Sequence, residues 1–193
     1  MKWDIFNIND LSEKEYMRYY SFMNDEKKNR VDHLSKKSDK IRLVVGDMMA
    51  RKAVSKWCAV REESIKFEKG PHGKPYAKNL NVEFNISHSH DMVVCAVSDK
   101  PVGIDIEKIR PINLSVAKRI CTEDELLYLF GFTPENTDFT HCENYEVLER
   151  FFRLWTAKEA FVKHSGEGLG IGLKRECECE TFILDSYVVS IKK

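Results

Sequence analysis

The chain has 193 residues, 42% apolar and 32% charged, enough to close a hydrophobic core without staples, which excludes a disordered or fibrous chain. Its 31 Lys and Arg balance 31 Asp and Glu, so no global field draws it to nucleic acid or to a membrane surface, and any polyanion site must be local. No apolar run outlasts Met92 to Val97, and Met1-Lys2-Trp3-Asp4 lacks the core of a signal peptide; the sequence therefore predicts a cytoplasmic protein with no membrane partner and with reduced cysteines. Cys177-x-Cys179 has the period of one strand face, and a zinc site would need it to converge with the unrelated His141-Cys142 pair, so these thiols read as packing residues.

Ser12 followed by Glu15 forms a capping box, and Tyr16, Tyr19, Tyr20 and Met23 recur at helical spacing, predicting a helix from about Ser12. Asp25 to Arg30 reads as a polar turn. Ser38 then opens a second helix with Ile41, Val44, Val45, Met48 and Met49 on its buried side and Trp57 closing the stripe. The period next changes to that of strands: Ile65 to Phe67, a loop over Gly70 to Pro75, then Val82 to Ser87, Met92 to Ser98 and Val102 to Glu107, a meander of short strands. Helical signals return from Leu114, Thr122 and Glu125 can cap Leu126 to Phe130, and a long helix is expected from about Tyr145 to His164 before Gly166 stops it. Ile183 to Ile191 reads as closing strands. The order strand, helices, strands occurs twice, which predicts an α+β fold of two related halves meeting near Asp99, residues 1–99 and 100–193. Met92 to Ser98 and Tyr187 to Ile191 are candidates for equivalent strands.

Alternation on Val102 to Glu107 sends Ile104 and Ile106 to one face and Asp105 and Glu107 to the other. Two acids on one face repel unless a cation lies between them or water screens them, so the pair reads either as a solvated edge or as hard oxygen donors for Mg²⁺. On the long helix, Leu148, Phe151, Phe152, Trp155 and Val162 form one apolar arc, and Glu159 falls inside it. Lys163, one turn on, would make a helical ion pair with it; a metal shared with Asp105 and Glu107 would explain why Glu159 faces that way.

Basic residues able to meet phosphate occur at Lys27 and Arg30, at Arg42, at Lys74 and at His88. Neither a Walker-type nor a dinucleotide glycine loop is present, so phosphates would be held by side chains and metal, and no G-x-S-x-G elbow offers a serine nucleophile.

Together, Gly73-Lys74-Pro75, Phe84 to Ser89, Gly103-Ile104-Asp105-Ile106-Glu107 and Trp155 to Lys163 resemble the 4'-phosphopantetheinyl transferase superfamily, its Sfp-type branch above all. The resemblance runs from about Asp25 to Leu173 and takes in Asp25-Glu26-Lys27 and Arg42 to Gly46. It implies a pseudo-dimer of two similar α+β halves with coenzyme A in the cleft between them. It also implies the reaction: transfer of the phosphopantetheine arm to a serine of an acyl or peptidyl carrier protein, with release of 3',5'-ADP. By that resemblance Asp105, Glu107 and Glu159 are the Mg²⁺ ligands and Lys163 meets the pyrophosphate, and Glu159, directly or through a metal-bound water, is the candidate for taking the serine proton. Lys27, Arg30, Arg42 and His88 match the holders of the 3'-phosphate, Lys74 and Pro75 the loop beside the adenine, and Ser87 belongs to the same coenzyme A segment. Glu125 matches a further acid near the metal, a role that competes with its place in the capping box.

The stretch between Leu173 and Ser186 to Ile191 is short, so a hairpin of longer members is expected to be missing. Gly131 to Glu146 is longer and more polar than expected, and Phe130, Phe132 and Phe139 could either dock the carrier or cover an ordinary surface loop. Two fused halves would let one chain complete its own cleft, so a monomer is expected. A Mg²⁺-dependent phosphohydrolase of nucleotides or coenzyme A, and a coenzyme A-binding or carrier-binding protein without turnover, are the rival readings.

Overall fold

The computed structural model describes residues 1–70, 73–131, 142–166 and 173–193, so Phe132, Phe139 and His141 lie outside the described residues. Two compact units are found, Met1–Val102 with Lys193, and Gly103–Lys192.

The first unit contains β1 (Lys2–Asn7), α1 (Glu13–Phe22), α2 (Asp25–His33), α3 (Lys37–Cys58), β2 (Phe67–Lys69), β3 (Pro75–Ala77), β4 (Glu83–Ser89) and β5 (Met92–Ser98). The strands β1, β5 and β4 form an antiparallel sheet in that order, while β2 and β3 pair with each other. Val44, Val45, Met48 and Val54 of α3 pack into one core with Phe84, Val93, Cys95 and Val97 of the sheet. This is the buried stripe expected from the sequence, although α3 begins at Lys37, with no side-chain cap from Lys36, one residue before Ser38. The Ser12 and Glu15 capping box is formed at the start of α1.

Two readings of this region need correction. Asp25 to Arg30 is the first part of helix α2, not a turn: Asn24 caps it by accepting from the Lys27 amide at 2.9 Å. Asp25 and Glu26 in the first turn and Arg30 and His33 in the last complement its dipole. Only Val31 of α2 is buried, so no apolar stripe announces the helix. Nor do the strands form one meander. β5 pairs with both β4 and β1, whereas Gly103 to Lys108 belongs to a separate sheet.

The second unit contains β6 (Gly103–Lys108), α4 (Ala117–Ile120), α5 (Glu123–Phe130), α6 (Tyr145–Ser165), β7 (Glu180–Leu184) and β8 (Tyr187–Lys192). Its sheet runs β6, β8, β7. Leu148, Phe151 and Phe152 of α6 share a core with Leu114, Leu129 and Val188, and Gly166, at φ 73°, ends the helix in the left-handed conformation as expected. A buried hydroxyl chain pins α6 to the sheet: Thr156 Oγ1 lies 2.7 Å from Ser190 Oγ, and Thr181 Oγ1 2.8 Å from the same atom.

The two sheets are the same sheet twice. In each, the first strand of the unit pairs with the last, and the last with the one before it. The hairpins β4–β5 and β7–β8 both turn through two residues, of which the first has positive φ, 51° at His90 and 52° at Asp185. Counting back from Met92 and Tyr187, the first residues after the loops, Asn7 corresponds to Lys108, Phe6 to Glu107, Asp4 to Asp105 and Lys2 to Gly103. The α+β fold of two related halves is thus present strand for strand. Among the described residues no helix is long and apolar enough to cross a membrane.

Candidate active site

Gly103 sets the geometry of the acidic site. A Cβ there would stand 2.0 Å from the Ala160 carbonyl oxygen and 2.5 Å from the His164 amide nitrogen, so only glycine lets the backbone of α6 lie against the start of β6. That approach sets Glu159 and Lys163, the neighbours of Ala160 and His164, beside Asp105. Lys163 Nζ donates to Asp105 Oδ1 at 2.5 Å, with the Asp105 side chain only 5% exposed. Asp105 is therefore not the solvated edge acid that was one reading of the sequence. Burial pushes the Glu159 carboxyl above its ordinary value, and the charges of Asp105 and Glu107 push it further in the same direction, with Lys163 opposing. Asp105, Glu107, Glu159 and Lys163 thus form one electrostatic cluster. Among the described residues no three His, Cys, Asp or Glu side chains converge into a metal site as they stand. The donor set is nonetheless that of a hard divalent ion: three carboxylates that repel one another, with a lysine drawn onto Asp105.

A second buried pair, missed by the sequence reading, lies in the same unit. Lys158 is 1% exposed and its Nζ lies 2.8 Å from Glu125 Oε1, while the same nitrogen donates to the carbonyls of Leu173 at 2.8 Å and Arg175 at 2.6 Å. The other Glu125 oxygen accepts from the Thr122 amide at 2.8 Å, completing the capping box of α5. Both oxygens of Glu125 therefore have structural work, which favours the capping reading of this residue over a place beside the metal. Lys158 directly precedes Glu159 in Trp155 to Lys163, yet its alignment with the carbonyls after α6 is visible only in three dimensions.

In the first unit, α2, α3 and β4 bring four dispersed basic residues to one cavity of about 240 Å³, lined among others by Lys27, Arg30, Arg42 and His88. The positioning groups are buried. Asp47 accepts from Lys27 Nζ at 2.5 Å and also takes the Arg51 Nε hydrogen bond, and Arg51 donates to the Ile65 carbonyl at 2.8 Å and to that of Phe22 at 3.0 Å. Lys27 lies 4.8 Å from the centre of the Phe67 ring. Arg42 is held by Asp39 and by the His90 carbonyl, the latter at 2.5 Å. Such clamped donors suit an anion with several oxygens.

The remaining expected contacts lie elsewhere in this unit. Ser87 is buried on the opposite face of β4 from the exposed His88. Lys74 donates to the Val102 carbonyl at 3.2 Å and lies 3.7 Å from Glu83; burial lowers its pKa, with Glu83 opposing. Pro75 opens β3 opposite Lys69. None of the three is among the residues lining the 240 Å³ cavity.

Residues 101–189 match the 4'-phosphopantetheinyl transferase superfamily, and residues 10–100 match the N-terminal part of 4'-phosphopantetheinyl transferase. The chain is 34% identical over 172 residues to 4'-phosphopantetheinyl transferase Sfp of Bacillus subtilis (strain 168), an alignment covering 89% of this chain and 72% of that protein. It is 36% identical over 161 residues to 4'-phosphopantetheinyl transferase psf-1 of Bacillus pumilus, covering 83% and 65%. With the L-aminoadipate-semialdehyde dehydrogenase-phosphopantetheinyl transferase of Pongo abelii it shares 31% identity over 178 residues, covering 85% and 55%. A repeated α+β frame with an acidic cluster on one half and a basic cavity on the other is thus joined to likeness along most of the chain, and the protein belongs to the 4'-phosphopantetheinyl transferase superfamily, in its Sfp-type branch. It is an enzyme of that type.

Proposed function

We propose that this enzyme transfers the 4'-phosphopantetheine arm of coenzyme A to a serine hydroxyl of an acyl or peptidyl carrier protein, depends on Mg²⁺, releases 3',5'-ADP, and acts as a cytoplasmic monomer. The observation that carries the reading is the cluster of Asp105, Glu107, Glu159 and Lys163, drawn together by the contact of Gly103 with α6.

Asp105, Glu107 and Glu159 would hold the metal, and Lys163 would leave Asp105 as it binds. Bound there, Mg²⁺ supplies positive charge to the pyrophosphate of coenzyme A. Lys163, released from Asp105, stabilises the departing phosphate oxygen. Glu159, whose burial raises its affinity for a proton, accepts the proton of the attacking serine. Lys27, Arg30, Arg42 and His88 would grip the 3'-phosphate, a dianion that needs several charged donors, with Lys74, Pro75 and Ser87 contacting the remainder of the nucleotide.

The test is the intact mass of an apo carrier protein after incubation with the enzyme, coenzyme A and Mg²⁺. A gain of one phosphopantetheine is expected, lost with a chelator and in Glu159→Gln. Consumption of coenzyme A in the absence of any carrier would instead favour the phosphohydrolase, and no reaction on any carrier despite coenzyme A binding would remove the transferase reading.

A further inference from the structure

The first unit has a larger cavity, about 390 Å³, on the other side of α3, and nothing in the transfer reaction uses it. It opens between β1, α3 and β5. Its floor is apolar and buried, formed by Met48, Cys95 and Val97, and its walls carry Trp3, Phe6 and Trp57. Lys2, Lys52 and Lys56 line it as well, and Asp4 is the one acid among the described lining residues. Its volume falls in the range of small-molecule sites, about 300–1,000 Å³.

The internal repeat shows what sign of charge the cavity favours. Its wall on β1 is the counterpart of the acidic wall on β6: Asp4 corresponds to Asp105, Phe6 to Glu107 and Lys2 to Gly103. Where Gly103 lets α6 close onto the sheet, the corresponding position of β1 carries Lys2, and a cavity lies between α3 and this strand. On the helix side, Lys52, Ala53 and Lys56 follow the same spacing as Glu159, Ala160 and Lys163. One strand acid has become apolar, and the helix offers two cations where α6 offers one acid and one cation. Lys52 is partly committed, 3.6 Å from Glu15 and over the Tyr19 ring. Lys2 and Lys56 therefore carry the net positive charge against Asp4.

We propose that this cavity binds a small amphipathic anion, an apolar acyl carboxylate, with its chain on the Met48, Cys95 and Val97 floor beside Trp57 and its head towards Lys2 and Lys56. Burial of the chain removes apolar lining from water, and the lysines select the sign of the head group. The site is separate from the acidic cluster and from the 240 Å³ cavity, so it stands or falls independently of the transferase reading.

The test is a titration of the full chain with octanoate, octanol and octylammonium, followed by NMR of the tryptophan indole N–H signals. Trp155, on α6, serves as internal reference. A saturable shift of Trp57, with Trp155 unmoved, is expected. Octanoate should bind about 5-fold or more tighter than octylammonium, the scale of one exposed ion pair. Ala53→Phe should abolish the shift by filling the cavity, and Lys56→Glu, a surface change that leaves the core intact, should erase or reverse the order of the ligands. An unmoved Trp57 signal in the unaltered chain, equal binding of octylammonium, or an unchanged order in Lys56→Glu would each overturn the proposal.

Discussion

The two units lay the same three strands beside a long helix and reach opposite chemistry with them. In the second, glycine at position 103 brings backbone against backbone, and the space at the strand face holds three carboxylates and a lysine. In the first, lysine stands at the corresponding position 2, and the space is a largely apolar cavity whose charged lining is mostly cationic. The frame is set by strand pairing and turn geometry, which tolerate both outcomes; the chemistry is set by the few side chains that face the helix.

The comparison can be broken most forcibly at the buried charge pairs. Each unit has one outside its acidic or apolar face, Arg51 with Asp47 and Lys158 with Glu125. Lys158→Met strands the buried Glu125 carboxylate and two carbonyls, and a loss of about 3–5 kcal/mol is expected in urea unfolding, whereas Arg51→Met frees three carbonyls but leaves Asp47 paired with Lys27 and should cost less. Replacing Lys158 and Glu125 together with Met and Leu should return part of that loss, and a double variant no better than Lys158→Met would contradict the pairing.

Gly103→Ala comes next. Its Cβ meets backbone, not a movable side chain, so the helix must shift, with an expected cost of about 2–4 kcal/mol. Carrier modification should fall with it, whereas Lys2→Ala at the equivalent position should change stability by no more than about 0.5 kcal/mol. Equal costs at the two positions would contradict the contrast drawn between them. Glu159→Gln, which keeps size and shape, should leave thermal unfolding nearly unchanged and lower carrier modification about 100-fold or more, read by intact mass.

The smallest effects lie at the two capping boxes, which sharpen the comparison further. Ser12 and Glu15 are exposed, whereas Glu125 is buried against Lys158. Ser12→Ala should cost about 0.5–1 kcal/mol and Thr122→Ala up to about 2 kcal/mol, measured by urea unfolding. The reverse order would place the weight on the exposed box.

Much of this was legible in the sequence because it is local. The Ser12 and Thr122 capping boxes, the α3 and α6 stripes and the alternation on Val102 to Glu107 act over a few residues and are found as read, whereas the Ser38 start of α3 is not, since that helix begins uncapped at Lys37. Helix α2 was not, because its one buried side chain, Val31, leaves no period to detect. The split of the strands into separate sheets was missed since Met92 to Ser98 and Gly103 to Lys108 share a strand period while pairing with distant partners, β1 and β8. The partners of Arg51 and Lys158 are main-chain carbonyls at Phe22, Ile65, Leu173 and Arg175, which no side-chain pattern announces. The roles of Asp105, Glu159 and Lys163 were proposed from spacing and resemblance, but the reason they meet, a glycine under a helix, is a property of the packed backbone.

We propose that the repeated frame holds a divalent cation in the second unit and not in the first. The most direct test is the addition of Mn²⁺, as a paramagnetic substitute for Mg²⁺, to the labelled protein with no coenzyme A present. Selective broadening of signals around Asp105, Glu107 and Glu159, reversed by excess Mg²⁺ and absent around Asp4, Lys52 and Lys56, is the predicted result. Equal broadening around Asp4, or none near Asp105, would contradict it.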